Sequence, residues 1–163
     1  MTEEKTYTIE AAHHFFGIDF NGKIWNLLDK EDKNQDELDE MVNLAHASLL
    51  HWKKNPKGKK VNIQRGEYMI ALAYIAANRK EQALYHAKKC LKLTEDFKHE
   101  MEDFDLAYAN LIMYGALNLF ENKIEANKYF EEAKKLGELI KEEEDKNIFI
   151  SDLNNHNMFK ANI

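Results

Sequence analysis

From Val61 to Leu93 the chain sets two long apolar stretches on either side of a short polar break. Tyr68-Met69-Ile70-Ala71-Leu72-Ala73-Tyr74-Ile75-Ala76-Ala77 is rich in helix formers. Asn78-Arg79-Lys80 interrupts it, and Ala83, Ala87, Cys90 and Leu91 then recur at helical spacing. The pattern predicts two helices joined by a tight turn. Ala71, Ala83 and Ala87 are small enough to let them cross closely. Tyr114 to Ala133 repeats the arrangement, and Ala45 to Trp52 carries a weaker copy of its second half.

The flanks are less regular. Thr8 is expected to cap a short helix, Ile9 to Phe16, stopped by Gly17, and Asn21 the next, through Leu28. Asp29 to Asp39 reads as an acidic connector. Asp36 is expected to cap a helix to about Lys54, with Asp39 completing a capping box. Met41, Leu44, Ala45, Ser48, Leu49 and Trp52 share one face of that helix. Ala47 and Leu50 lie opposite, which predicts a helix sandwiched between neighbours. Lys53 to Lys60 is a basic loop with the single proline, Pro56, and Gly58. Asn62 is expected to cap the first central helix and Asp103 the helix Phe104 to Phe120. A long charged helix then runs from Lys123 to about Asp145, and a last short one from Ile148 to Leu153.

The paired pattern is similar to a tetratricopeptide unit, in which a small residue and an aromatic in the first helix precede A-x3-[AF]-x2-[AC] in the second. Here these are Ala71, Tyr74 and Ala83-x3-Ala87-x2-Cys90; then Tyr114, Leu117 and Ala126-x3-Phe130-x2-Ala133; and, degraded, Ala45-x3-Leu49-x2-Trp52. The alanines stand further apart than the period of about 34 residues, and the excess falls in loops. The expected fold class is therefore all-α: antiparallel tetratricopeptide-like helix pairs in a right-handed array, with N- and C-terminal capping helices. One domain, 1–163, divides into an N-terminal extension (1–20), a degraded first unit (21–60), a central helix pair (61–95), a second pair (103–145), and a cap and tail (146–163).

Composition narrows the function classes. The chain has 163 residues, 44% hydrophobic and 32% charged, enough for one well-formed core rather than a disordered segment. One proline and six glycines favour helices over sheets with tight turns. A net charge of −6 argues against nucleic-acid binding. The lone Cys90 excludes an internal disulfide and fits a reducing compartment. Met1-Thr2-Glu3-Glu4 is acidic and no apolar leader follows. No apolar run approaches the roughly 18 residues of a membrane span. The expectation is a cytoplasmic protein without nucleic-acid or membrane partners.

Beyond the generic repeat, Ala45-His46-Ala47-Ser48 with His51-Trp52, Arg65-Gly66-Glu67, His86-Ala87-x2-Cys90-Leu91, and Asp103-Phe104-Asp105-Leu106-Ala107-Tyr108-Ala109 occur in this order. Together, over about 21–154, they resemble an uncharacterised bacterial family of tetratricopeptide-like helical-repeat proteins. The resemblance implies an all-helical fold and a cytoplasmic setting, and implies no reaction.

Two groups of side chains are candidate sites. His46, His51, Glu67 and His86 lie on neighbouring helices. Glu67 faces the partner helix, where a carboxylate needs a donor. They form either a satisfied polar network or a pocket. His46 and His51, at i and i+5, cannot share a metal from one face. No H-E-x-x-H or Cys-x2-Cys is present, so no metal, cofactor or catalytic residue is expected. Arg79-x6-His86 has a spacing that resembles HEPN-type helical ribonucleases, but Asn78 precedes Arg79 instead of following it, and an unrelated turn arginine is expected. The basic loop lacks interleaved aromatics for base stacking and reads as solvated.

The second group lines the concave face of the array: Arg65, Tyr68, Leu72 and Ile75, then Tyr108, Leu111, Gly115 and Asn118. Arg65 with Tyr68, Tyr108 and Asn118 is the expected groove for a protein or peptide partner. The leading expectation is a non-enzymatic interaction module or scaffold. The alternatives are a helical enzyme or small-ligand binder built on the His/Glu/Arg cluster, and a homodimer or larger structural oligomer. Phe15, Phe16 and Phe20 crowd the N-terminal segment, and Phe15 or Phe16 is expected to be buried within the same chain.

Overall fold

The structure is a computed structural model, and it describes residues 6–155 and Phe159. Among them are seven α-helices and no strand: α1 (Ile9–Leu28), α2 (Gln35–Lys54), α3 (Lys60–Ala76), α4 (Lys80–Asp96), α5 (Asp103–Asn118), α6 (Lys123–Glu138) and α7 (Glu143–Asn154). A single 3-10 turn, Lys98–Glu100, leads into α5. Each helix packs against the next. The odd-numbered helices also touch in series, α1 on α3, α3 on α5 and α5 on α7. They therefore share one face of the molecule.

The small residues do the work the spacing demands. Ala71, Ala83, Ala87 and Cys90 are fully buried at the α3–α4 crossing. Ala116, Ala126 and Ala133 are buried at the α5–α6 crossing. Both hairpins turn through a left-handed residue, Asn78 (φ 53°) and Glu121 (φ 59°). After α3 the Arg79 N–H donates to Tyr74 O and the Asn78 N–H to Ile75 O, which closes the helix with a Schellman motif.

The N-terminal helix differs from expectation. Gly17 lies inside an unbroken α1, so 9–20 and 21–28 share one element. A Cβ on Gly17 would sit 2.9 Å from Trp52 Cε2. The glycine is thus a notch for the α2 indole and not a helix stop. The Ser48 hydroxyl donates to Gly17 O at 2.7 Å across the same contact. Burial falls on Gly17 and Ile24, while Phe15 and Phe16 are 55% and 38% exposed. The segment packs within its own chain; the Phe16 ring meets the His51 ring of α2 at 5.2 Å but stays partly exposed, and neither Phe15 nor Phe16 is buried.

Other boundaries also move. The α2 cap is Asn34, whose side chain accepts from Glu37 N while Glu37 Oε2 accepts from Asn34 N, each at 2.9 Å. Glu37 at the third helical position can reach back; Asp39 is too short for the box expected at Asp36. Leu50 is 51% exposed, so its side of α2 is open, although α1 and α3 both pack on the helix. Asn62 lies within the first turn of α3 and accepts from Lys59 N. Asp103 opens α5, and Glu102 precedes it as cap. The boundary between the last two helices lies earlier than expected: α6 ends at Glu138, where Gly137 gives the Phe149 ring a seat, and α7 starts at Glu143. Lys141 N then donates to Asp103 Oδ2 at 3.0 Å.

Candidate functional site

The face shared by the odd helices holds a cavity of about 380 Å³, within the usual range of about 300–1,000 Å³ for ligand sites. Asn21 and Trp25 of α1 line it, with Gln64, Arg65, Tyr68 and Met69 of α3, Phe104, Asp105 and Tyr108 of α5, and Ile148 and Asp152 of α7. Ile148 is half exposed, and the Arg65 side chain is 45% exposed. The walls are mostly aromatic and aliphatic. The Tyr68 and Tyr108 rings meet edge-on at 5.6 Å, and Tyr108 meets Phe149 at 4.9 Å.

Each charged group of this cleft has a hydrogen-bond partner within it. Arg65 donates from Nε and Nη2 to the two Asp105 oxygens at 2.8 and 2.9 Å, and its guanidinium lies over the Phe104 ring. Burial alone would make Arg65 easier to deprotonate, but the Asp105 hydrogen bonds and charge raise its pKa above the ordinary value. Asp105 also accepts from Glu102 N at 3.0 Å. The Tyr108 hydroxyl donates to Asp152 Oδ2. Burial pushes the Asp152 carboxyl up, partly offset by that bond, and burial with the nearby carboxylate pushes the Tyr108 phenol up.

Two polar tips in the cavity wall have no partner among the described residues: Gln64 Oε1 and the Tyr68 hydroxyl. Leaving a buried polar atom unpaired costs about 1–3 kcal/mol. Burial raises the Tyr68 phenol well above its ordinary pKa, so it stays protonated.

The second candidate group resolves into two separate clusters. Glu67 is 1% exposed. Its Oε2 meets His86 Nδ1 at 2.6 Å, and its Oε1 meets Lys89 Nζ at 2.7 Å and Lys53 Nζ at 3.7 Å. Burial pushes the Glu67 carboxyl up, but hydrogen bonds from His86 and Lys89 outweigh it and hold the pKa below the usual value. His46 Nε2 bonds the Tyr74 hydroxyl at 2.9 Å, and its ring meets that of His86 at 5.4 Å. Burial, with the His86 charge, lowers the His46 pKa. His51 stands apart from this network. Its Nδ1 lies 2.9 Å from His13 Nδ1, among Phe16 and Phe20. Burial and His13 lower its pKa.

Of the expected groove residues, the structure brings Arg65, Tyr68 and Tyr108 together in the cleft. Asn118 is not among its lining residues. The expected groove continues no further along α3 and α5. Leu72, Ile75 and Leu111 are fully buried, and the Phe159 ring and Ile75 close over Gly115. Arg79 pairs with Asp39 instead of approaching His86, so the ribonuclease-like spacing has no spatial counterpart. Sequence reasoning missed Asn21, Trp25, Gln64, Phe104, Asp105, Ile148 and Asp152. Phe104 and Asp105 lie one turn before Tyr108 on α5, so the helical period could have supplied them. Asn21, Trp25, Ile148 and Asp152 belong to α1 and α7, whose limits the pattern misplaced. Among the described residues no group of three or more His, Cys, Asp or Glu side chains could hold a metal, and no helix is long and apolar enough to cross a membrane.

No family model, curated protein or solved structure matches the chain.

Proposed function

We propose that this chain is a non-enzymatic binding module: a tetratricopeptide-like, right-handed stack of helix pairs that holds a segment of a protein partner in the cleft of its odd-numbered helices. The observation that carries this reading is the convergence of four helices on one aromatic-walled cavity in which Arg65 pairs with Asp105 and the Asp152 carboxyl takes the Tyr108 hydroxyl. Such a site offers shape and hydrogen bonds to a guest, and its acidic and basic groups are each already engaged in a hydrogen bond. Glu67 and His86, the strongest acid/base pair, are not among the lining residues of this cavity and are engaged with each other. Burial raises the Cys90 thiol, which disfavours a thiolate nucleophile. The acidic composition supports a protein partner over nucleic acid or an anionic membrane, and the single cysteine fits a cytoplasmic setting.

The test needs a variant that closes the cleft without unfolding it. Arg65→Ala is unsuitable, because it strands the buried Asp105. Ile148→Arg places a long charged side chain at the mouth from a half-exposed position. Affinity purification from the source cell should recover a partner with the wild-type chain and with Glu131→Arg, an exposed control on α6, and lose it with Ile148→Arg. Equal recovery with all three would refute a cleft-bound partner.

A further inference from the structure

The two unpaired tips in the cleft define what it is built to meet. Gln64 and Tyr68 stand one turn apart on α3 and are 1% and 8% exposed. The Gln64 amide nitrogen donates to Thr94 Oγ1 at 2.9 Å. Thr94 has one hydroxyl proton, which it donates to Cys90 O at 2.9 Å. Thr94 must therefore accept from Gln64, which fixes the amide orientation and leaves Oε1 as an unused acceptor. The Tyr68 phenol, kept protonated by burial, is an unused donor. One neutral acceptor and one neutral donor are thus left unpaired a turn apart on α3, on residues that line the cleft, each tip closed off from solvent. Arg65 and Asp105 neutralise each other, and Asp152 takes the Tyr108 hydroxyl. Trp25, Met69, Phe104 and Ile148 supply apolar surface around them.

The group complementary to an adjacent acceptor and donor is one that presents an N–H and a C=O together without net charge. We propose that the cleft recognises a primary carboxamide, as a glutamine or asparagine side chain flanked by apolar residues on the partner segment presents it, with the amide N–H donating to Gln64 Oε1 and its carbonyl accepting from Tyr68. This rests on the binding-module reading above. A carboxylate in the same place would face Gln64 Oε1, a second acceptor, with Asp105 and Asp152 nearby. An ammonium could donate to Gln64 Oε1 but would leave the Tyr68 proton without an acceptor. A site that hydrogen-bonds a specific group rejects an analogue lacking it strongly.

The probes are three short peptides, Leu-Gln-Leu, Leu-Glu-Leu and Leu-Lys-Leu, each with acetyl and N-methylamide ends so that no other primary carboxamide is present. Titrated into the full chain and followed by NMR, the glutamine peptide should shift the Gln64 side-chain amide and the Trp25 indole saturably. The glutamate and lysine peptides should bind about tenfold more weakly or worse. Tyr68→Phe should weaken the glutamine peptide by about tenfold, yet the free variant should melt no lower than wild type, because an unpaired buried hydroxyl has been removed. If the tip served the fold, Tyr68→Phe would melt lower, and the proposal would be overturned. It would equally be overturned by three peptides of equal affinity, or by no binding of the glutamine peptide. In the last case, a partner still lost from Ile148→Arg leaves the cleft standing and removes only the carboxamide; a partner kept by Ile148→Arg removes both.

Discussion

Replacing Glu67 tests whether a buried ion pair locks α3 to α4. Its carboxylate is 1% exposed and takes close bonds from His86 and Lys89, at 2.6 and 2.7 Å. Breaking one side of a buried pair costs about 3–5 kcal/mol when the remaining charge has nowhere to go. Here Lys89 and Lys53 are 38% and 46% exposed and can turn to water, whereas the His86 side chain is only 11% exposed. The low end applies, so Glu67→Ala should lose about 3 kcal/mol. Glu67→Gln keeps the shape and neutral hydrogen bonds, and should lose about 1–2 kcal/mol.

Chemical unfolding followed by far-UV circular dichroism at neutral pH measures both. The pH dependence supplies an internal check. The folded-state pKa of Glu67 lies below its ordinary 4.5, so its contribution is present above that value and is lost as pH falls through the depressed one. The wild-type advantage over Glu67→Gln should therefore shrink as pH falls below 4.5. A Glu67→Ala chain within about 0.5 kcal/mol of wild type, or an advantage that grows as pH falls below 4.5, would refute the locking role.

Glu121 holds a left-handed conformation that an L side chain adopts at a cost (φ 59°); Glu121→Gly should raise stability by about 0.5–1 kcal/mol in the same unfolding assay, and a lower midpoint would contradict it. Gly17→Leu must push the Trp52 ring, 2.9 Å from the new Cβ, and should cost about 1–3 kcal/mol; a silent substitution would mean that α1 is not held in the Trp52 notch. His46 and His51 both have folded-state pKa values below the ordinary 6.5, so the stability they contribute is present above that value and lost as pH falls through the depressed ones. The double variant His46→Asn/His51→Asn should show a shallower decline in stability just below pH 6.5, measured by thermal melts across that range; an equal or steeper decline would refute it.

The helices that could be read from sequence were those whose packing leaves a local signature. Ala71, Ala83, Ala87 and Cys90 mark the α3–α4 crossing because close approach demands small residues at helical spacing, and the α5–α6 hairpin is marked in the same way. Gly17 misled because a glycine that makes room for a ring, here Trp52, cannot be told by composition from one that ends a helix. The misplaced limits of α1 and α7 hid Asn21, Trp25, Ile148 and Asp152. Arg65, Tyr68 and Tyr108 were accessible from the helical period. Their specific partners were not, because Arg65 and Asp105 are distant in sequence and charged residues are common throughout the chain. Gln64 carries no signal at all in sequence; its meaning comes from the hydroxyl of Thr94 spending its proton elsewhere.

The cleft itself is tested most directly by photo-crosslinking in the source cell. A benzophenone amino acid is placed either at Asn21, inside the cavity wall, or at Glu131, exposed on α6. A binding cleft requires a discrete crosslinked species from position 21 that disappears when Ile148→Arg is added, and none of that size from position 131. The same species from both positions, or one from position 21 that survives Ile148→Arg, would show that partners reach this protein by another surface.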